Sequence, residues 1–226
     1  REFLDDYGHE IDVTRILFGD EGLNEISSHD DVNIVVAAIV GFQCLKPVID
    51  AICTNKTVII ANKEILVAAG EMIISFLNKF SAKLLPVDSE HNALLQVILS
   101  SGLEYKVNDR EYYESNINNL TITASGGPFL KINKSKLAKF IPQNAIKHPT
   151  WKMGKKISID SSTLINKVYE LIEAKKIFNL GYEKFEIIIQ PTSYIHAIVE
   201  FKSGNYKILS HPTSMRIPTV SYKHLT

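Results

Sequence analysis

Three short apolar runs, set apart by amphipathic stretches, restrict the first hundred residues to one kind of architecture. Asn33 to Val40 reads as a buried strand closed by Gly41, Thr57 to Ile60 as a second, and Lys83 to Val87 as a third. Their starts recur about every 25 residues, the length of one strand–helix unit, so the strands run parallel and the connections cross over as helices. Leu45, Val48, Ile49 and Ile52 give one such helix its apolar stripe, and another helix spans 64–79.

Past this point the rhythm breaks. Residues 104–119 are polar and read as a loop. Leu120 to Ala124 is a strand ending in Ser125-Gly126-Gly127-Pro128, residues 134–140 form a short helix, and 141–154 form a loop bearing proline and glycine. Lys156 to Ile159 reads as another strand, with Asp160, Ser161 and Ser162 as N-cap candidates for a helix reaching Asn179. Runs at 185–189, 194–201 and 206–209 read as antiparallel strands. The fold class is α/β: a parallel sheet over residues 1–87, then an α+β unit over 88–226.

Composition excludes several classes. Lys and Arg number 25 and Asp and Glu number 25, so no global field draws nucleic acid or an anionic membrane. No apolar run approaches the roughly 20 residues that cross a bilayer. Cys44 and Cys53 sit in an apolar helical stretch and read as reduced. The chain opens on Arg1 rather than methionine, and is expected to begin inside a longer product.

The chemistry concentrates where the third strand ends. Asp88-Ser89-Glu90-His91 follows Val87 at once and leads into a second apolar-periodic run. In an open α/β sheet this carboxyl end is where ligands bind. Asp88 and Glu90 have two readings, as caps of the following helix or as ligands of a hard divalent cation. Glu170 is the candidate third ligand, on one helix face with Asn166 and Lys167, whereas Glu173 and Lys176 read as a solvated face. Ser125-Gly126-Gly127 and Ser161 at a helix start suit an anion such as a phosphomonoester; the glycine pair also suits a plain turn. The loop from His148 to Gly154 holds the single tryptophan, Trp151, and reads either as a flap over substrate or as a surface loop pinned by that ring. His91 and His196 are lone histidines, for which packing is the default role.

Five segments occur in order: Ala61-Asn62-Lys63-Glu64; Leu84 through Asn92; Ser125 through Phe129; His148-Pro149-x-Trp151-x-Met153-Gly154; and Lys156-Ile157-x-x-Asp160-Ser161-x-Thr163-x-x-Asn166-Lys167-x-x-Glu170. Over residues 30–220 the chain resembles the 1-deoxy-D-xylulose 5-phosphate reductoisomerase family. The resemblance implies a partial Rossmann-like, NADPH-binding domain followed by a catalytic domain. It implies Mn²⁺ or Mg²⁺ held by Asp88, Glu90 and Glu170. It implies substrate contacts from Ser89, Ser125, His148, Trp151, Ser161, Asn166, Lys167 and Glu170. Lys63, His91, His148 and His196 are then expected among the catalytic groups, and Ala38, Gly41, Asn62, Lys63, Glu64 and Gly154 beside the nicotinamide cofactor.

By the same resemblance the substrate is a small phosphosugar, the complete protein is a homodimer, and the compartment is a bacterial cytoplasm or a plastid-type organelle. The family's amino-terminal Gly-rich loop and carboxyl-terminal helical domain have no counterpart in the 226 residues. Val168, Gln190 and Ser214 stand where the family generally has glycine, histidine and an acid. Two other readings stay open: a metal-dependent phosphosugar hydrolase using the same carboxylates, and an inactive fragment that only binds.

Overall fold

A computed structural model describes residues 16–151 and 154–221; Lys152 and Met153, within the expected flap, lie outside the described residues. After helix α1 (Gly19–Ser28) the chain alternates β1 (Ile34–Ala37), α2 (Leu45–Cys53), β2 (Thr57–Ile60), α3 (Lys63–Leu77), β3 (Lys83–Pro86) and α4 (Ser89–Ser100). The three strands form a parallel sheet in the order β1-β2-β3, with Ile34 opposite Thr57 and Thr57 opposite Lys83. Val58, Ile59 and Ile60 are buried because β2 has a neighbour on each side. β1 departs from the expected buried strand. It is shorter, and Val36 is 58% exposed, because among the described residues β1 has one strand neighbour and lies at the sheet edge.

Four further strands make a second sheet in the order β5-β4-β6-β7: β4 (Ile117–Ala124), β5 (Phe185–Ile189), β6 (Ile195–Phe201) and β7 (Tyr206–Ser210). β6 and β7 are antiparallel as expected, but β5 runs parallel to β4. The chain between β4 and β5 includes long helical segments, and such a crossover returns it to the starting end of the sheet.

After two short helices, α5 (Arg110–Asn116) and α6 (Pro142–Ala145), the supposed strand 156–159 is helix α7 (Lys155–Ser162), and the Lys156–Asp160 ion pair at 2.8 Å shows its i,i+4 spacing. A four-residue Lys-Ile-Ser-Ile alternation is too short to fix a period. Asp160, Ser161 and Ser162 therefore end α7 rather than cap the next helix. That helix, α8 (Ile165–Phe178), starts after Leu164 turns through the left-handed region at φ 61°. The polar stretch 104–119 also holds a helix, Arg110–Asn116. Asp109 caps it by accepting from the Tyr112 N–H at 3.0 Å, and Tyr113 buries its ring edge-on against Phe178. Cys44 is buried and Cys53 half-buried, and both are free thiols.

Val58, Leu66, Leu94, Tyr113, Phe178 and Val199 belong to one hydrophobic core that runs through both sheets. α3 packs along α8, and α4 packs on β6. Where α3 meets α8 a Cβ on Gly70 would lie 2.9 Å from Lys176 Cγ, so only glycine admits the lysine stem. That contact seats α8, and with it Glu170, against the carboxyl end of the parallel sheet.

Candidate active site

β3 ends at Pro86, and Asp88 becomes the N-cap of α4, accepting from the Ser89 N–H at 2.9 Å. The capping reading is thus correct, and it is also what aims the corner. A cleft of about 280 Å³ opens beside it, lined by Asp88, Ser89, Glu90, Asn166, Lys167 and Glu170. One carboxylate oxygen from each of Asp88, Glu90 and Glu170 lies within 4.8 Å of the others.

Two ammonium groups stand among these carboxylates. Lys63 Nζ lies 2.5 Å from Asp88 Oδ2, 3.0 Å from Glu170 Oε1 and 2.9 Å from Asn166 Oδ1. Lys167 Nζ lies 2.7 Å from Glu90 Oε1 and also contacts Glu170 Oε2 and the Thr123 carbonyl oxygen. Burial works to raise the Asp88 carboxyl, but Lys63 and His91 outweigh it and hold it down at about 2. Burial raises Glu170, the Glu90 charge adds to that, and the carboxyl sits at about 7 in spite of Lys167 and Lys63. On Lys167 burial works downward, yet Glu170 and Glu90 raise it to about 12.

Mutual repulsion of this kind is what a divalent cation relieves. The donor set consists of carboxylate oxygens alone, and Asp88 Oδ2 and Glu170 Oε2 are shielded from solvent beside the Lys63 and Lys167 ammonium groups. Such a set fits Mg²⁺ or Mn²⁺ rather than a metal that prefers sulfur or imidazole.

The opposite wall is built from β4 and the loop after it. Trp151 and Thr150 donate their backbone N–H groups to His148 Nδ1 at 3.0 and 3.3 Å, so His148 carries its proton on Nε2 and donates to Ser125 Oγ at 2.9 Å. Ser125 Oγ also accepts from the Gly127 N–H at 3.2 Å, which leaves the Ser125 hydroxyl proton for a ligand in the cleft. Ser161 lines the same cleft, though from the last turn of α7 and not from a helix N-terminus. Its carbonyl oxygen would lie 2.6 Å from a Cβ at Gly127, so glycine at 127 is needed for close approach of loop to helix. Trp151 lines the cleft and meets His196 edge-on with ring centres 6.0 Å apart. His196 donates from Nε2 to the His211 carbonyl and stacks on that ring at 3.7 Å.

The groups expected beside the cofactor gather at the carboxyl ends of β1 and β2. Asn62 caps α3 by accepting from the Ile65 N–H at 3.0 Å, and its amide donates to the carbonyls of Ile39 and Gly41. Asn62 thereby ties the turn from Ala38 to Gly41 to the start of α3, and Ala38 is exposed. Glu64 reaches Lys156 at 3.0 Å, and Gly154 is the N-cap of α7 and lines the cleft.

His91 behaves differently. It is fully enclosed and absent from the cleft wall. Glu173, expected to be solvated, is 1% exposed and faces His91. The spacing of Glu173 one turn beyond Glu170 was the available signal for it; nothing in the sequence marked Thr123, Ser193, His211 or Met215 as part of this region. Val168, Gln190 and Ser214 do not line the cleft.

Two family models match the chain. One, described as 1-deoxy-D-xylulose 5-phosphate reductoisomerase, covers residues 3–70, and the other, its C-terminal domain, covers residues 84–178. The chain belongs to this family. The reductoisomerases of Chloroherpeton thalassium and Clostridium novyi are each 42% identical to it over 203 residues, 90% of this chain and 50% of theirs. A crystal structure of DOX-P reductoisomerase in complex with NADPH, fosmidomycin and magnesium superposes with a TM-score of 0.83 at 39% identity, covering 96% of this chain and 52% of that one. The chain spans about half the length of the reductoisomerases it matches. A hyperthermophilic archaeal homoserine dehydrogenase, 10% identical with a TM-score of 0.51, shares the fold alone.

Proposed function

We propose that the complete protein converts 1-deoxy-D-xylulose 5-phosphate to 2-C-methyl-D-erythritol 4-phosphate in non-mevalonate isoprenoid biosynthesis, with NADPH and Mn²⁺ or Mg²⁺. The convergence of Asp88, Glu90 and Glu170 in a cleft at the carboxyl end of a parallel sheet supports this most directly. A cation held by these three would polarise the substrate carbonyl as a Lewis acid, and NADPH would supply the hydride. The chain's own residues bind and orient. Ser125, Ser161, Asn166 and Lys167 face the cleft with three hydroxyl or amide groups and one positive charge, a set that fits a phosphomonoester. Ser89 is the further substrate contact beside the carboxylates. Trp151 excludes water from the opposite wall, with His148 holding its backbone and His196 its ring. Lys63 contacts Asp88, Glu170 and Asn166 and follows Asn62 at the start of α3, between the carboxylates and the sheet end assigned here to the cofactor.

The hydrolase reading uses the same carboxylates but gives no role to the turn at residues 39–41 that Asn62 ties down at the carboxyl end of the parallel sheet. The inactive-fragment reading rested on Val168, Gln190 and Ser214, none of which lines the cleft. Oxidation of NADPH by the complete protein only when 1-deoxyxylulose 5-phosphate and a divalent cation are both present tests the proposal. Glu170→Gln should lower turnover by about 100-fold or more, since a lost ligand weakens the cation's hold; undiminished turnover would sink the reading.

No helix among the described residues is long and apolar enough to cross a membrane. The bacterial source of the relatives supports a bacterial cytoplasm over a plastid. Homodimerisation of the complete protein is supported by edge strand β5, where Ile187, Ile188 and Ile189 are all exposed in sequence.

A further inference from the structure

His91 and Glu173 are both buried, neither lines the cleft, and yet each is tied to its frame. His91 Nε2 lies 2.8 Å from the main-chain carbonyl oxygen of Glu170. A carbonyl only accepts, so Nε2 bears a proton. Nδ1 of the same ring then faces Glu173 Oε2 at 3.7 Å, and neither atom has a hydrogen-bond partner elsewhere among the described residues. Glu173 stands one turn after Glu170 on α8, and His91 adjoins Glu90 on α4.

We propose that Glu173 and His91 are positioning residues for the carboxylate cage. Glu173 fixes the rotation of the His91 ring, and the ring fixes the Glu170 backbone against α4. The separation of Glu170 from Asp88 and Glu90 is thereby set from behind, by groups that touch neither substrate nor cofactor. An isolated buried carboxylate is costly and persists where a partner or a function holds it. Partners in this outer layer typically orient the ligands in front of them. Asp88, His91 and Glu173 each offer one atom within 4.8 Å of the others, which raises an alternative, a second cation. Against it, His91 and Glu173 are closed to solvent and absent from the cleft wall.

The inference rests on the metal-dependent reading of the site, and the test separates the two. Mn²⁺ is titrated into the complete protein without substrate, and free ion is read by electron paramagnetic resonance, for wild type, Glu173→Gln, His91→Gln and His91→Phe. Wild type should bind one Mn²⁺ per chain. Glu173→Gln should bind it about 10–100-fold more weakly, with kcat recovering at high Mn²⁺ and the KM for NADPH unchanged. His91→Gln, whose amide can still donate to the Glu170 carbonyl, should fall between wild type and His91→Phe. Unchanged Mn²⁺ affinity in folded Glu173→Gln overturns the inference, as does a second Mn²⁺ in wild type. If Glu173→Gln does not fold, His91→Gln decides alone, and failure of both to fold assigns the pair to the core and also overturns it. Absence of Mn²⁺ binding by wild type sinks the metal-dependent reading instead.

Discussion

His148 shows how much one tautomer decides. Its Nδ1 accepts two backbone N–H groups, from Thr150 and Trp151, so only the neutral ring can hold the loop. Burial lowers its pKa from the ordinary value of 6.5, because water no longer solvates the charged form. The folded value lies below the unfolded one. The neutral ring's contribution is therefore complete above 6.5 and is lost as pH falls through the depressed value. The fluorescence of Trp151 should stay constant at and above neutrality and change only in a transition centred below 6.5. His196, 6.0 Å from the indole and also lowered by burial, titrates nearby, so His148→Phe is needed to remove one component of the transition and assign it. A midpoint at or above the ordinary value would contradict this account. The residue types at this scale were readable: Asp88, Glu90, Glu170, Ser125 and Lys167 were all singled out from the sequence, and all meet in one cleft. Glu173 was misjudged because a helical stripe of charge looks the same whether solvent or His91 faces it.

At the scale of elements, the βα rhythm was legible because each unit joins a continuous apolar run, as in β2, to a helix with a 3.6-residue apolar period, as in α3. The failures came where the period had too few residues to declare itself. Lys156 to Ile159 fits strand and helix equally, and packing chose α7. The stretch 104–119 looked like loop because its buried ring, Tyr113, finds Phe178 far along the chain. The contact between α7 and the glycine pair gives a prediction at this scale. Gly127 has φ +68°, and a Cβ there would press on the Ser161 carbonyl oxygen at 2.6 Å. Gly127→Ala should cost about 1–3 kcal/mol through strained backbone, seen as a lower thermal midpoint, and should weaken phosphate-bearing ligands by displacing Ser161. An unchanged midpoint would mean that α7 does not pack here as described. Another buried device secures the entry to β2. Lys56 Nζ donates to the carbonyls of His29 and Val32 at 2.6 and 2.5 Å, and Lys56→Met should cost about 1–3 kcal/mol by leaving them unpaired, measurable by denaturant titration.

Across the whole molecule one core joins the two sheets, so the cleft between them has no soft seam behind it. Phe178 is fully buried in that core, and Phe178→Ala should cost about 3–5 kcal/mol, with both sheets melting together in one transition. Two resolved transitions would show that the sheets are independent. The proposed homodimer is tested by Ile188→Lys, on the exposed edge of β5: if β5 joins the subunits, the complete protein shifts from dimer toward monomer in sedimentation experiments with Mn²⁺ binding intact. The sequence by itself determined the parallel sheet of the first half, the strand end that delivers Asp88 and Glu90, and the residue types of the proposed oxygen-donor cation site and of the proposed anion pocket beside it. These depend on local periodicity and side-chain chemistry. Tertiary structure alone decided that β5 runs parallel to β4, that Lys63 and Lys167 stand as counter-charges among the carboxylates, and that His91 turns its back on the cleft to meet Glu173. Those outcomes depend on which helix faces lie against each other. Lys63 reaches Glu170 across 107 residues, and no local pattern specifies a pairing at that distance.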